Sequence, residues 1–174
     1  MRGKNQNCPI CGKNATITKP IDYLQFCGVK AADDKDKPLE LLSDKDRISI
    51  DNLKSKLETG KNDVLLLDCR EPVELGILSP LEKIETVIKN QSFVNIPLKL
   101  LENPFRKKEV LEKLKDHDGK KIVCLCRRGN NSQKAVIALN KLKQTEDNFN
   151  MDSVDLIGGY TKWVRKFQPD LPLY

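Results

Sequence analysis

The sequence predicts an α/β fold: a mainly parallel central sheet with helices on both faces, preceded by a smaller N-terminal segment. Three observations carry this expectation. From Arg47 onward, short apolar runs alternate with helical stretches, the pattern of successive strand–helix units. Two of the runs, "DVLLLD" (63–68) and "KKIVCLC" (120–126), are apolar without alternation, as strands buried on both faces must be. Residues 1 to about 46 lack the pattern.

In chain order, "CPIC" opens the N-terminal segment and "VKAADDKDKP" offers few apolar side chains to bury, so residues 31–46 are expected to be a linker. "RISI" is a short strand. "DNLKSKLETG" is a helix with Asp51 as its N-cap and Gly60 as its stop. "DVLLLD" follows as a central strand, and "SFVNIP" (92–97) as another, closed by Pro97. "LKLLENPFRKKEVLEKLKDHDG" is helical on both sides of Pro104, above all over 107–115. After "KKIVCLC", the stretch "SQKAVIALNKLK" sets Ala135, Val136, Leu139 and Leu142 on one helical face. "SVDLIGG" is a third core strand, and "YTKWVRKF" a last helix. Ligands of such sheets gather at the carboxyl ends of the strands, where Asp68, Cys126 and Gly158 fall.

Composition bounds the class. The 174 residues are 39% apolar and 32% charged, as in a soluble globular protein. No apolar run approaches the roughly 20 residues of a membrane helix, and "MRGKNQNCPI" lacks the apolar core of a secretory signal. A cytoplasmic location is expected. Its six cysteines (Cys8, Cys11, Cys27, Cys69, Cys124, Cys126) are then metal-binding, reactive or buried rather than disulfide-bonded. The net charge is +6, with thirteen Lys/Arg against five Asp/Glu from Lys99 to Lys143. A basic face can steer an acidic partner, although solvated helix faces account for the same charges. With 5% aromatics and no aromatic RNA-binding motif, nucleic-acid binding is not expected. His117, the only histidine, lies in a polar stretch and is expected to be a loop residue.

The stretch "CLCRRGNNSQKA" (124–135) carries the chemistry. Cys126 ends a strand and a helix begins within six residues, so the N–H groups of Arg127 to Ser132 can curl round its sulfur. The helix N-terminus adds about half a positive charge. Together with Arg127 and Arg128, these features should lower the thiol pKa. Cys124, two residues back in the strand, points toward a covered face and reads as an inert thiol. A Cys124–Cys126 disulfide is near or beyond the usual bridging distance. A cysteine phosphatase needs an arginine six positions after its nucleophile to grip phosphate bidentately. Here that position is Ser132, or Asn130 if counted from Cys124, which argues against phosphate as the cargo.

"LLLDCREPVELGI", "VNIPL", "CRRGNNSQKAV" and "DLIGGYTKW" occur in the order and spacing of a rhodanese domain. More narrowly, "CPICG", "IDYLQFCG", "LELLSDKDRIS", "SQKAV" and "DLPLY" resemble the C-terminal part of the ubiquitin-activating-like adenylyltransferase/sulfurtransferases of molybdenum-cofactor synthesis and tRNA thiolation. The resemblance implies a rhodanese-like fold over 47–174, a linker at 31–46 and the tail of an adenylation domain at 1–30. It implies that Cys126 carries a persulfide, loaded by a cysteine desulfurase. That sulfur goes to the C-terminus of a ubiquitin-like sulfur-carrier protein that an adenylation domain has activated. Arg127, Arg128, Gly129, Asn130, Asn131 and Ser132 would cradle the persulfide, with Asp68, Arg70 and Glu74 as structural supports of the loop. Sulfur transfer itself needs no cofactor. Cys8 and Cys11 match one of two Cys-x-x-Cys pairs of a structural zinc site. Two thiolates alone cannot close a tetrahedral site, so zinc would need further ligands, from Cys27 or from an outside donor. The adenylation domain's ATP-binding glycines have no counterpart in these residues, and adenylation is not expected of them.

Several positions depart from the resemblance. Asn131 replaces the aspartate common in the loop, making it more electropositive. Cys69 stands where valine is common, most simply as a small buried residue, and "LEKIETVIKNQ" reads as a surface insertion. Two other functions fit the residues: a non-catalytic docking module for a ubiquitin-like partner, and a thiol redox domain using Cys124 and Cys126.

Overall fold

The computed structural model describes residues 5–17, 19, 38–77 and 92–171, in two units, Met1–Lys37 and Pro38–Tyr174. The first unit's described part is a run of turns through Cys8 and Cys11, in which Gly12 N donates to Cys8 O at 2.8 Å. "IDYLQFCG" with Cys27, and the insertion "LEKIETVIKNQ", fall outside the described residues.

The second unit holds five strands: β1 (Arg47–Ile48), β2 (Val64–Asp68), β3 (Ser92–Asn95), β4 (Lys121–Leu125) and β5 (Ser153–Leu156). They form one sheet in the order β1-β5-β4-β2-β3, and every pairing is parallel. Six α-helices lie among the described residues: α1 (Ile50–Glu58), α2 (Pro72–Ile77), α3 (Leu98–Leu101), α4 (Lys107–Leu114), α5 (Asn131–Thr145) and α6 (Gly159–Phe167).

The unbroken apolar runs have a simple cause: successive side chains of a strand point to opposite faces, and here both faces are cores. Leu65 and Leu67 of β2 and Ile122 and Cys124 of β4 face Val110 and Leu114 of α4 and Ala135, Val136, Leu139 and Leu142 of α5. Val64, Leu66, Val123 and Leu125 face the other way, toward Ile50, Leu53 and Leu57 of α1 and Tyr160 and Trp163 of α6.

Three expectations shift. α1 is capped not by Asp51 but by Ser49, whose hydroxyl accepts from Asn52 N at 3.2 Å; Asp51 lies inside the first turn. His117 is half-buried in a 3₁₀ turn after α4 rather than in an open loop. Over 38–46 the expected linker belongs to the second unit, because its backbone finds partners on α5. Leu41 N donates to the Gln133 Oε1 at 2.9 Å, and Gln133 Nε2 donates to Leu39 O at 2.8 Å.

Leu67, with no exposed surface, supports the layer on which the cysteines stand. Leu67→Ala is expected to cost about 2–5 kcal/mol, read as a lower urea midpoint. An unchanged midpoint would contradict the packing described.

Candidate active site

Cys126 follows directly on β4, and the loop after it is held from two sides. Its carbonyl accepts from Tyr160 N at 2.9 Å, and that of Arg127 accepts from Thr161 N at 2.9 Å. The first turn of α6 therefore satisfies the loop backbone. This approach needs glycine. A Cβ on Gly159 (φ +53°) would lie 2.2 Å from the Cys126 oxygen, and one on Gly129 (φ +87°) would lie 2.7 Å from Gly158 N.

The loop then turns into α5, whose start faces the sulfur. Gly129 N donates to Cys126 Sγ at 3.1 Å, and Ser132 Oγ lies 3.3 Å from it. Cys126 is only 4% exposed. The third partner comes from β2. Strands β2 and β4 pair Asp68 with Leu125, and Cys69 N donates to Leu125 O at 2.9 Å. Cys69 is thereby set beside Cys126, in the same buried cluster.

These surroundings lower the Cys126 thiol to about pH 6. The neighbouring Cys69 thiol is the largest cause; burial opposes it, and the Ser132 hydroxyl and the N–H groups of Ser132 and Gly129 add to it. The reciprocal cost falls on Cys69, raised well above the ordinary range first by Cys126 and then by burial. Cys124, fully buried, is raised chiefly by burial. The sulfur thus draws support from a cysteine that follows the next strand as well as from the donors at the start of α5.

Ser132 has one hydroxyl proton and two claimants. It donates to Asp155 Oδ1 at 2.5 Å, and Asp155 Oδ2 accepts from Arg47 Nε at 2.9 Å. Asp155 is fully buried; burial pushes its carboxyl up, while Ser132 and Arg47 hold it down. Asp155 thereby fixes the Ser132 hydroxyl beside Cys126.

At the end of β2, Arg70 binds Asp68 through Nε at 3.1 Å to both oxygens and through Nη2 at 2.8 Å to Oδ2. Burial raises the Asp68 carboxyl and Arg70 pulls against it. The Arg70 guanidinium lies 4.1 Å from the centre of the Tyr160 ring, a cation–π contact. The pair therefore reaches the cysteine loop through the residue whose N–H holds the Cys126 carbonyl. Glu74 serves α2, its Oε2 accepting from Glu71 N at 3.0 Å.

The remaining loop residues diverge. Asn130 turns its Oδ1 to Leu39 N at 3.0 Å, Asn131 is exposed, and Arg127 and Arg128 are half-exposed at the rim. Gln133 binds Gly129 O at 2.8 Å as well as Leu39 and Leu41, so the 38–41 segment and the loop share one side chain. Sequence reasoning missed Asp155, Arg47, Tyr160 and Gln133. An acid inside the apolar run of "SVDLIGG" was the one legible signal. Cys69 is the small buried residue expected, yet it also lies against Cys126.

Among the described residues zinc is not supported. Cys8 and Cys11 lie close, with the Cys11 N–H foremost in lowering Cys8 and Cys8 raising Cys11 in turn. Two thiols supply half a tetrahedral site, and no group of three or more His, Cys, Asp or Glu suited to a metal gathers among the described residues.

A strand-end cysteine in a loop of N–H donors, on a parallel sheet with helices on both faces, defines a domain built to carry an anion on sulfur. Residues 49–166 match the family described as Rhodanese-like domain, and the chain belongs to it. Sulfur transfer is the general activity that this membership supports. Over its whole length the chain is 37% identical to the adenylyltransferase and sulfurtransferase MOCS3 of Drosophila yakuba and 33% identical to that of Culex quinquefasciatus. It spans 34% and 37% of those relatives, about a third of their length. An uncharacterised Saccharomyces cerevisiae protein, 18% identical, shares the fold at a TM-score of 0.51, covering 75% of this chain and 100% of that one. No helix among the described residues is long and apolar enough to cross a membrane.

Two outcomes test the site. Alkylation of Cys126 should accelerate with pH through an inflection near 6, because only the thiolate reacts and its pKa is depressed. Cys69→Ala should move that inflection upward, and an unmoved profile would remove Cys69 from the site. Gly159→Ala places a methyl against the Cys126 carbonyl in a left-handed conformation that alone costs about 1–2 kcal/mol. Its far-UV spectrum should persist while the low inflection disappears.

Proposed function

We propose that this chain is the sulfurtransferase part of a carrier-activating system: Cys126 holds a persulfide and delivers its outer sulfur to the C-terminus of a ubiquitin-like sulfur-carrier protein. The observation that carries the proposal is the enclosed, depressed thiol of Cys126 with Gly129 N at 3.1 Å, a geometry suited to an anionic sulfur. The names of the relatives and their identity along the full chain support the carrier. A cysteine desulfurase supplies the sulfur, an adenylation domain activates the carrier, and the product serves tRNA wobble-uridine thiolation, molybdopterin synthesis or both. A reducing compartment such as the cytoplasm suits a chain that works through a free thiolate.

In the first half-reaction the Cys126 thiolate attacks the sulfane sulfur of the donor and expels the donor's remainder, leaving Cys126–S–S⁻. In the second, a nucleophilic acceptor such as cyanide takes the outer sulfur and the thiolate returns. With an acyl-adenylate acceptor the outer sulfur attacks the acyl carbon and AMP leaves. A dithiol must then reduce the Cys126–S–S–acyl bond to free the thiocarboxylate and the thiolate. With thiosulfate and cyanide as surrogates, sulfite leaves in the first step and thiocyanate in the second. Both persulfide and thiolate are anions, so the donors facing the sulfur serve each half of the cycle.

A thiosulfate-to-cyanide assay checks the reading. Cys126→Ala should fall to background, and Cys124→Ala should keep activity within about threefold. Equal loss in both variants would point to a redox pair. No turnover, together with no persulfide by mass spectrometry in the parent chain, would point to a docking module.

A further inference from the structure

The reading of Cys126 leaves Cys69 without a chemical task. We propose that Cys69 is the resolving thiol of Cys126: it displaces the group that the Cys126 sulfur carries and closes a Cys69–Cys126 disulfide, which an external dithiol then reopens. The inference rests on the persulfide reading above.

The geometry comes from the sheet. Cys69 N donates to Leu125 O at 2.9 Å and Cys69 O accepts from Leu98 N at 3.0 Å, so its backbone is pinned on both sides. The β2–β4 register runs through Asp68 and Leu125 and makes Cys69 and Cys126 the next opposed pair. Neighbouring strands lie about 4.7–4.9 Å apart, inside the roughly 4.4–6.8 Å that a disulfide bridges between Cα atoms. Cys124, the alternative partner, is two residues back on the same strand, about 6.4–6.8 Å away at the strand rise, at the edge of that range. Both Cys69 and Cys126 belong to the same buried cluster, so their side chains meet on one face of the sheet.

The step balances. In Cys126–S–SH the Sγ–S bond breaks, the Cys69 sulfur bonds to Cys126 Sγ, and the Cys69 proton leaves with the outer sulfur as hydrogen sulfide. The two cysteine sulfurs are oxidised to a disulfide, and the sulfane sulfur is reduced to sulfide. The same displacement on a Cys126–S–S–acyl adduct expels a thiocarboxylate, a better leaving group than hydrosulfide because its conjugate acid is stronger. The arrangement is self-timed. While Cys126 is a thiolate, its charge keeps Cys69 protonated. Once the sulfur carries an acyl group or a protonated outer sulfur, that charge is gone and Cys126 Sγ becomes the electrophile. In the anionic persulfide the charge sits on the outer sulfur, and its protonation precedes the displacement.

Thiosulfate-loaded, desalted chain gives the test. In the parent, cyanide-reactive sulfur should decay with release of one sulfide, while a peptide linked through Cys69 and Cys126 accumulates that dithiothreitol reopens. Cys69→Ser keeps a hydroxyl to donate to Cys126 and cannot form the link; it should keep the low alkylation inflection and hold its sulfur about tenfold longer or more. Equal decay in parent and variant, with no linked peptide, overturns the proposal and leaves the persulfide reading intact. If Cys126 never loads, the persulfide reading fails instead. The pair is then judged by capping Cys126 with the aromatic disulfide DTNB: a Cys69–Cys126 link supports the resolving role, and a lasting mixed disulfide overturns it.

Discussion

The site depends on one backbone interaction: the first turn of α6 gives its N–H groups to the carbonyls of Cys126 and Arg127, each at 2.9 Å. Without it, two carbonyls inside a nearly closed loop would be unpaired, a cost of about 1–3 kcal/mol each. With it, the loop's own N–H groups are turned the other way, toward the sulfur. The contact is possible because Gly159 brings no Cβ to a place 2.2 Å from the Cys126 oxygen. The adjacent glycines of "LIGG" are thus as much a part of the cysteine site as the cysteine loop.

Around that contact the buried charges are arranged to hold positions rather than to react. Asp68 is covered and bound by Arg70, and Asp155 by Arg47 and Ser132. A buried carboxylate without such partners would be strongly disfavoured. Each pair anchors something next to Cys126. Arg70 packs on Tyr160, whose N–H holds the Cys126 carbonyl, and Asp155 fixes the hydroxyl of Ser132. One apolar sheet can therefore present a low-pKa sulfur at the carboxyl end of its middle strand.

Much of this was legible in residue order. Continuous apolar runs in β2 and β4 could only be strands covered twice, and Cys126 followed by Gly129 and Ser132 could only be a tight loop entering a helix. Near misses came where two residues were equally suited to one task. Ser49 and Asp51 both cap helices, and the choice went to Ser49 because its hydroxyl reaches Asn52 N. The charged stretch "VKAADDKDKP" leads into 38–46, which so resembled a linker, yet the backbone at Leu39 and Leu41 is held by the side chains of Asn130 and Gln133, which composition cannot reveal.

By itself the sequence determined the sheet, the helices on both faces, and which thiol ends a strand above a helix start. These follow from local periodicity, turn chemistry and burial preference, which neighbouring residues set. Only the tertiary structure decided what surrounds that thiol. Cys69 is remote from Cys126 in the chain, and Asp155 from Ser132; strand register and sheet order bring them together. Those long-range pairings add to the loop's own donors at Gly129 and Ser132 in making the Cys126 sulfur acidic, and they decide which group stands next to it.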